Sequence, residues 1–328
     1  MIPISRGTIR PLQPFDFGKS CSIYARFEEW SHTAFIDGVL YKAFEVEGVT
    51  YLLEVFETED GAEGDEEEAA EVAVKEGSLE ARLYRQGLSN PGPSSNPGVD
   101  GATDFPSEPE AARLAAWILS SDLDLLPLYR VDDPAFTPLA ERLWGLKPPR
   151  TVTVFEALVI AIIEQQIGLR VANLLQNRLV TRFGLVVLSG DLELSAFPSP
   201  DRLAGLDPQD LRDIGLSMNK SRFILGIAGG VASGDLVLES LKRMTAEEAR
   251  EVLLSIKGVG RWTADYVLIR GLGRFEAVPF DDLGIRDAVG LFYKGGERAS
   301  AGEAEAVLSR FGDLAGVAAY YLLSARLG

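Results

Sequence analysis

Residues 255–288 read SIKGVGRWTADYVLIRGLGRFEAVPFDDLGIRDA and decide how the second half of this chain folds. Apolar residues recur at spacings of three and four on both sides of the Lys-Gly-Val-Gly turn at 257–260, which predicts a helical hairpin over 246–272. Thr245 and Glu248 have the spacing of a capping box that opens the first of the two helices. The glycines permit a tight turn and leave N–H groups uncovered at the start of the second helix, which suits a phosphate oxygen. Many helical hairpins, however, use glycine only to reverse the chain.

The rest of the chain divides into a strand-rich part and a helical part. Residues 33–56 alternate apolar and polar side chains around Asp-Gly and Glu-Gly pairs, which predicts an antiparallel meander. Residues 58–107 are first acidic and then rich in Pro, Gly, Ser and Asn, so we interpret them as an insertion with at most one strand, in SLEARLYRQG. Helical periodicity fills 108–328, in about ten segments by the spacing rule. We therefore predict an α+β fold, with an N-terminal antiparallel domain over 1–107 and an all-helical domain over 108–328.

Composition limits the classes of function. The chain has 328 residues, of which 46% are hydrophobic, and is long enough for more than one core. It has neither an apolar run long enough to span a bilayer nor the blocks of a signal peptide, so we expect a cytoplasmic protein, associated with the nucleoid if prokaryotic. The single Cys21 excludes an intrachain disulfide and a multi-cysteine metal site. We expect the single His32 to be a surface or half-buried residue rather than a metal ligand.

The charge is distributed unevenly. The formal net charge is −17, which argues against a nucleic-acid ligand because phosphate binding needs a basic face. Residues 54–110 alone carry −13, whereas residues 141–328 carry only −1. The C-terminal half can therefore present a local basic patch.

Two aspartates and two aromatic residues follow the glycine turn. Asp281 and Asp282 open the next helical pattern, where an N-cap or first-turn acid is the ordinary explanation. A carboxylate in that position can also stabilise a developing positive charge. Trp262 and Tyr266 are four residues apart and so share one face of the second hairpin helix. Core packing and an aromatic wall for a ligand both fit that face.

Taken together, these motifs resemble the helix-hairpin-helix (HhH-GPD) DNA glycosylase superfamily, and most of all its 3-methyladenine DNA glycosylase II (AlkA-type) branch. The resemblance covers nearly the whole chain except 58–107. The residues that carry it are Gly258, Gly260, Trp262, Thr263, Ala264, Tyr266, Asp282-Leu283-Gly284 and Arg286, together with Pro14-Phe15-Asp16-Phe17, the segment from Phe155 to Ile167, and residues 197–224.

The resemblance implies a chemistry. Asp282 is then the catalytic carboxylate, which stabilises an oxocarbenium-like transition state as the N-glycosidic bond breaks, with Asp281 as a cap or neighbour. Trp262 occupies the place of the lysine that forms a Schiff base in bifunctional members, which implies a monofunctional enzyme. Aromatic walls would favour a cationic base, such as 3-methyladenine or 7-methylguanine, once it is flipped from the duplex. The slot is expected in the cleft between two helical halves.

The resemblance also assigns residues to the slot and to DNA. The slot residues are Trp262, Tyr266 and Phe17, with Tyr320 and Tyr321 as additions. The DNA-binding residues are Gln165, Gln166, Lys220, Lys257, Gly258, Val259, Gly260, Arg261 and Thr263, with Gln166 as the candidate wedge. The implied partner is double-stranded DNA that contains damaged bases, bound by a monomer and without a membrane. No metal or organic cofactor is implied, although similarity allows a monovalent cation at the hairpin.

Some features depart from the branch, and rival interpretations stay open. The acidic insertion is unusual for the branch, and Ala315 stands where the branch often carries arginine. The nearest rival is a glycosylase of the same fold for oxidised or deaminated purines. A non-catalytic helix-hairpin-helix DNA-binding protein would need the hairpin but not Asp282. A helical protein that meets only other proteins through its acidic segment would bind no DNA.

Overall fold

A five-stranded antiparallel sheet forms the N-terminal part of the molecule, in the order β1-β5-β4-β3-β2. A computed structural model describes the chain over residues 2–25, 31–58, 77–86 and 110–327. The strands are β1 (Ser5–Ile9), β2 (Thr33–Ile36), β3 (Val39–Val46), β4 (Val49–Thr58) and β5 (Ser78–Arg85). The sheet, followed by many helices, confirms the predicted α+β fold class.

The meander predicted over 33–56 corresponds to strands β2 to β4. Its two turns contain Asp37-Gly38 and Glu47-Gly48, and all four residues have positive φ angles between 50° and 77°. Such backbone angles twist a two-residue turn to match its flanking strands. Strand β5, which lies within the predicted insertion, pairs with both β1 and β4 and so is an interior strand of the sheet. The remaining residues of that insertion, 59–76 and 87–107, lie outside the described residues.

One face of the sheet is covered by two helices, α1 (Phe17–Ala25) and α2 (Ala111–Ile118). Leu114 and Ile118 of α2 pack in the same core as Leu53 and Leu83 of the sheet. Helix α2 lies just after the predicted domain boundary at 107, yet it belongs to the core of the sheet, because its apolar stripe faces the strands.

The helical region contains two separate cores. The first is formed by helices α5 to α11 and the second by helices α3, α4 and α12 to α14. Their bounds are α3 (Leu126–Tyr129), α4 (Thr137–Arg142), α5 (Val154–Glu164), α6 (Leu169–Phe183), α7 (Pro200–Ala204), α8 (Pro208–Asp213), α9 (Met218–Ala232), α10 (Ala246–Ser255), α11 (Arg261–Leu272), α12 (Leu283–Tyr293), α13 (Ala301–Leu308) and α14 (Ala315–Leu327). Ile269 of α11 packs against both cores, so α11 lies at the junction of the two halves. Among the described residues, none of these helices has the length and apolar character that a bilayer crossing requires.

A short β-hairpin interrupts the region that we predicted to be all-helical. Strands β6 (Val186–Ser189) and β7 (Leu192–Ser195) pair antiparallel across a Gly-Asp turn. Val187 and Leu194 point inward and pack on Leu52 of the sheet. The prediction missed this hairpin because its alternation is only four residues long on each side, and its stability comes from the sheet beneath it rather than from local pattern.

His32 is buried at 2% exposure, so the prediction of a surface or half-buried residue was wrong. It lies where the sheet meets helix α5, with its ring 6.0 Å from that of Phe197. There Lys42 Nζ donates to Glu156 Oε1 at 2.7 Å, and His32 Nε2 lies 3.6 Å from the same oxygen. Burial and the Lys42 ammonium hold the pKa of His32 well below its usual range. Packing of the two domains, which a local sequence pattern does not reveal, accounts for the burial.

Candidate active site

The glycine turn joins helices α10 and α11, whose bounds match the hairpin predicted over 246–272. The capping box is present, because Thr245 accepts from the Glu248 N–H while the Glu248 side chain accepts from Thr245. Gly258 has a φ of 93°, and a Cβ there would lie 2.4 to 2.8 Å from ring atoms of Phe223. The position therefore requires glycine for both its backbone angle and its space.

Helix α11 begins without a side-chain cap. Gly260 is its N-cap residue, and no described side chain accepts from the first N–H groups of the helix. Gly260 is exposed, whereas Val259 beside it is 8% exposed and anchors the turn in the core of the first helical half. Uncovered N–H groups with the helix dipole behind them can bind an anion.

Asp282 is the N-cap residue of helix α12. Its Oδ1 accepts from the Ile285 N–H at 2.9 Å, and its Oδ2 accepts from Trp262 Nε1 at 2.8 Å. A side chain at Gly284 would place a Cβ only 3.0 Å from Asp282 Oδ1. The carboxylate is half-buried and fixed between α11, in the first half, and α12, in the second.

The aromatic residues of α11 form a ladder beside this carboxylate. The Trp262 and Tyr266 rings have centroids 5.6 Å apart and planes inclined at 33°. Both side chains are half-buried and pack against the core of the first helical half. The Tyr266 hydroxyl donates to Glu164 Oε1 at 3.3 Å. Trp262 and Tyr266 therefore lie between two carboxyl groups, with Trp262 bonded to Asp282 and Tyr266 bonded to Glu164.

Two ionisable residues, Glu164 and Arg270, are neighbours of Tyr266. Burial raises the pKa of Glu164 to about 7, although Arg270 and the hydrogen bonds from Gln176 and Tyr266 act in the opposite direction. Burial alone would lower the pKa of the Arg270 guanidinium, but Tyr266, neighbouring tyrosines and Glu164 raise it overall. The neighbouring tyrosines are Tyr24 of α1 and Tyr320 of α14. Helix α11 thus carries tryptophan, tyrosine and arginine at every fourth position along one face.

Known proteins share this arrangement of elements. The profile of the HhH-GPD superfamily of base excision DNA repair proteins matches residues 159–312. A Bacillus subtilis protein named DNA-3-methyladenine glycosylase is 39% identical over 166 residues, which is 50% of this chain and 55% of that one. The solved structure of a 3-methyladenine DNA glycosylase from Archaeoglobus fulgidus is 26% identical, with a TM-score of 0.75 over 98% of both chains.

Residues 159–312, within the helical part of this chain, are similar to the HhH-GPD superfamily. A further relative, DNA-3-methyladenine glycosylase 2 of Escherichia coli, is 33% identical over 39% of this chain and 44% of its own. The chain thus spans about half the length of the curated relatives that it matches. These relatives support the AlkA-type branch to which the motifs pointed.

Four residues predicted to bind DNA are exposed near the hairpin. Lys257, Gly260 and Arg261 surround the start of α11, and the side chain of Arg261 is 75% exposed. Gln166 is exposed in the loop between α5 and α6 and has a φ of 58°. A non-glycine residue in that conformation is strained and is often found at functional sites. Its assignment as the wedge stays a prediction.

Other residues predicted to bind DNA make hydrogen bonds within the protein. Lys220 Nζ donates to the carbonyl oxygens of Ile163 and Gln165, at 2.8 and 2.7 Å, and so closes the C-terminal end of α5. Thr263 is 2% exposed, and its Oγ1 accepts from Gln165 Nε2 at 2.8 Å. Gln165 Nε2 also donates to Gly258 O in the glycine turn. The structure gives Lys220, Thr263 and Gln165 positioning roles, because each joins the hairpin or α9 to the end of α5.

The structure also relocates several predicted slot residues. Phe17 is 2% exposed and packs edge-on against Phe35 in the core of the sheet, so it lines no cleft. Tyr321 is fully buried and donates to Leu146 O at 2.9 Å, whereas Tyr320 is half-buried. Asp281 is exposed and is not the cap of α12, since Asp282 occupies that position.

Sequence reasoning did not select Glu164, Arg270 or Tyr24. Arg270 could have been found, because it continues the spacing of four from Trp262 to Tyr266. Glu164 directly precedes the two glutamines that were selected, but nothing local shows that its side chain turns towards α11. Tyr24 reaches the site from the other domain, which only the tertiary structure reveals.

Proposed function

We propose that this protein is a monofunctional DNA glycosylase that hydrolyses the N-glycosidic bond of alkylated bases after they are flipped out of duplex DNA. The observation that carries the proposal is the position of Asp282, a half-buried carboxylate fixed by Trp262 Nε1 at 2.8 Å beside an uncapped hairpin helix. The names of the relatives, 3-methyladenine glycosylases, support alkylated bases as the substrate class.

Asp282 would act through charge. As the base departs, positive charge develops on the sugar, and a fixed carboxylate stabilises it without reorganisation at the moment of reaction. The two hydrogen bonds to Asp282 come from the Ile285 N–H and the Trp262 indole, one on each oxygen, and hold its orientation. The same carboxylate can orient the water that attacks the sugar.

Trp262 and Tyr266 would select the base. A cationic base over an aromatic face gains about 0.5 to 2 kcal/mol per contact. That modest gain is sufficient, because an alkylated base is already a good leaving group. Trp262 provides no amine for a Schiff base, so we expect an intact strand with an abasic site as the product.

The hairpin would hold the DNA backbone. The N–H groups at the start of α11 suit a phosphate oxygen, and Lys257 and Arg261 are exposed beside them. A Schizosaccharomyces pombe 3-methyladenine DNA glycosylase solved in complex with abasic DNA is 26% identical, with a TM-score of 0.54 over 62% of this chain. This likeness supports DNA as the partner.

Release of bases from methylated DNA tests the proposal. The wild type should release methylated purines that chromatography resolves, and Asp282→Asn should lower the release by at least about a hundredfold while the DNA still binds. Asp281→Asn is the matched control, because Asp281 is the exposed neighbour and caps nothing. Equal losses in both variants, or a fully active Asp282→Asn protein, would contradict the assignment.

A further inference from the structure

Helix α6 is basic in a chain that is acidic overall. Residues 165–190 include no aspartate or glutamate but three arginines, Arg170, Arg178 and Arg182. All three are exposed on α6. Together with Leu174, which is 38% exposed, they follow one another at intervals of four residues and so form a stripe along the outer side of the helix. We call these four residues the arginine stripe.

The part of the chain that the structure describes does not neutralise this stripe. None of its arginines lies within 4.0 Å of a carboxylate oxygen of a described residue. Arg178 Nη1 donates to Ile214 O at 3.2 Å, which fixes the side chain but leaves its charge uncompensated. Arg170 is in the first turn of α6, where the helix dipole disfavours a cation, so the stability of the helix does not explain its charge. Exposed cations without counter-charges attract a polyanion such as a nucleic-acid backbone.

The arginine stripe lies next to the glycine hairpin. Helix α6 begins just after Gln165, whose Nε2 donates to Gly258 O in the hairpin turn at 3.0 Å. Arg178 reaches the loop at Ile214, which leads into α9, and Phe223 of α9 packs against Gly258. The stripe is therefore turned towards the side of α6 on which α9 and the hairpin turn lie.

We propose that the arginine stripe is a second binding surface for the DNA backbone, which continues from the hairpin and contacts phosphates of the duplex beside the lesion. The axial distance from Arg170 to Arg182 is about 18 Å, at about 1.5 Å per residue. Phosphates along one strand of B-DNA are about 3.4 Å apart, so the stripe has the length of about five base pairs. Contacts to phosphate add affinity without reading the sequence. This inference rests on the proposed function and extends its contact with DNA beyond the hairpin.

The salt dependence of DNA binding tests the stripe. The triple variant Arg170→Gln, Arg178→Gln, Arg182→Gln should bind a duplex that contains one abasic site with a less steep slope of log affinity against log salt. The expected change is about two to three, because each phosphate contact contributes about 0.9 to the slope. The double variant Arg170→Gln, Arg182→Gln keeps the bond from Arg178 to Ile214 O, and its slope should change by about two.

A matched control separates the stripe from the net charge of the protein. The control removes the same charge from three exposed arginines of the sheet domain, in the variant Arg6→Gln, Arg10→Gln, Arg85→Gln. Its slope should stay near that of the wild type. A loss of folded protein lowers the apparent affinity in any variant but does not change the slope, so a destabilised variant still gives a result.

Shortened duplexes locate the contact. In two series, five base pairs are removed from one side or from the other side of the abasic site. Shortening on at least one side should abolish the difference in slope between the wild type and the triple variant. Equal slopes on the full duplex, or a difference that survives both truncations, overturn the inference, whereas base release by the wild type leaves the proposed function intact. A wild type that neither binds this duplex nor releases methylated bases overturns both.

Discussion

Trp262 Nε1 donates to Asp282 Oδ2 at 2.8 Å, which joins the second helix of the glycine hairpin to the start of helix α12. The indole therefore has two roles, as an aromatic wall and as a donor that fixes the carboxylate. We expect Trp262→Phe to keep the wall and lower base release about tenfold, because a hydrogen bond to a charged group contributes about 1.5 to 3 kcal/mol. Single-turnover release from methylated DNA measures the effect, with Tyr266→Phe as the control that retains this bond. Wild-type rates in Trp262→Phe would mean that the bond does not matter for the reaction.

The two turn glycines should differ in their tolerance of a side chain. Gly258→Ala should destabilise the protein by more than about 2 kcal/mol, because an added Cβ meets the Phe223 ring and the φ of 93° is strained. Gly260→Ala should cost no more than about 1 kcal/mol, since nothing lies within 4 Å of a Cβ there and only the N-cap preference for glycine over alanine is lost. Urea unfolding compares the two variants. Similar losses in both would show that the turn itself, rather than the Phe223 contact, demands glycine.

Substitutions of Lys220 and Lys257 should change different properties of the protein. The first should lower its stability, and the second should weaken its binding to DNA. Lys220→Met should cost about 2 to 4 kcal/mol of stability, because the carbonyl groups of Ile163 and Gln165 lose a charged donor. Lys257→Met should leave stability unchanged and reduce the slope of log affinity against log salt by about one. Thermal unfolding and a salt titration with abasic-site DNA measure the two effects. If Lys220→Met instead changed the salt dependence of DNA binding and left stability unchanged, Lys220 would belong to the DNA-binding surface.

Glu164 should make stability depend on pH. Burial raises its pKa from 4.5 to about 7, so the folded protein retains a proton that the unfolded chain has released. The free energy of unfolding should therefore fall as the pH rises from about 4.5 to 7, by at most about 3 kcal/mol. Glu164→Gln should remove this part of the decrease, whereas Glu305→Gln, at an exposed position of α13, should not. Parallel pH profiles of wild type and Glu164→Gln would be inconsistent with a proton held at Glu164.

The buried pair of Lys42 and Glu156 should hold the sheet to helix α5. Lys42 is 6% exposed and Glu156 is 2% exposed, with 2.7 Å between Nζ and Oε1. Glu156→Gln leaves a buried ammonium without its counter-charge and should cost about 3 kcal/mol. The double variant Lys42→Met, Glu156→Gln should regain part of that loss and keep an acceptor for the Val152 N–H. If the double variant is less stable than the single one in denaturant unfolding, the pair is not the source of the cost.

Local signals allowed the hairpin to be predicted from the sequence. The capping box at Thr245 and the glycines at 258 and 260 fix where α10 and α11 begin, so the bounds 246–272 could be written without the fold. The spacing of Trp262 and Tyr266 likewise placed both on one face. Propensity and capping depend on residues within one turn of each other, which a sequence displays directly.

Side-chain directions between elements could not be predicted in the same way. Lys220 and Phe17 were expected at the DNA surface and in the slot, yet Lys220 closes the end of α5 and Phe17 fills the sheet core. Both outcomes depend on how elements distant in sequence pack together. Arg270 and Glu164 are separated by more than a hundred residues, and only the packing of α11 on α5 brings them to one site.

The pairing of Thr58 with Ser78 fixes both ends of the acidic segment at one point of the sheet. These residues face each other across β4 and β5, with their hydroxyl oxygens 2.6 Å apart. A two-residue Asn-Gly turn, with Gly77 as its glycine, would therefore close the ladder in place of residues 59–76. The excised piece contains nine acidic residues and one lysine, so the shortened chain would carry a formal net charge of −9 instead of −17. Nearly half of the formal net negative charge of this protein thus lies in the residues that connect two paired strands, β4 and β5.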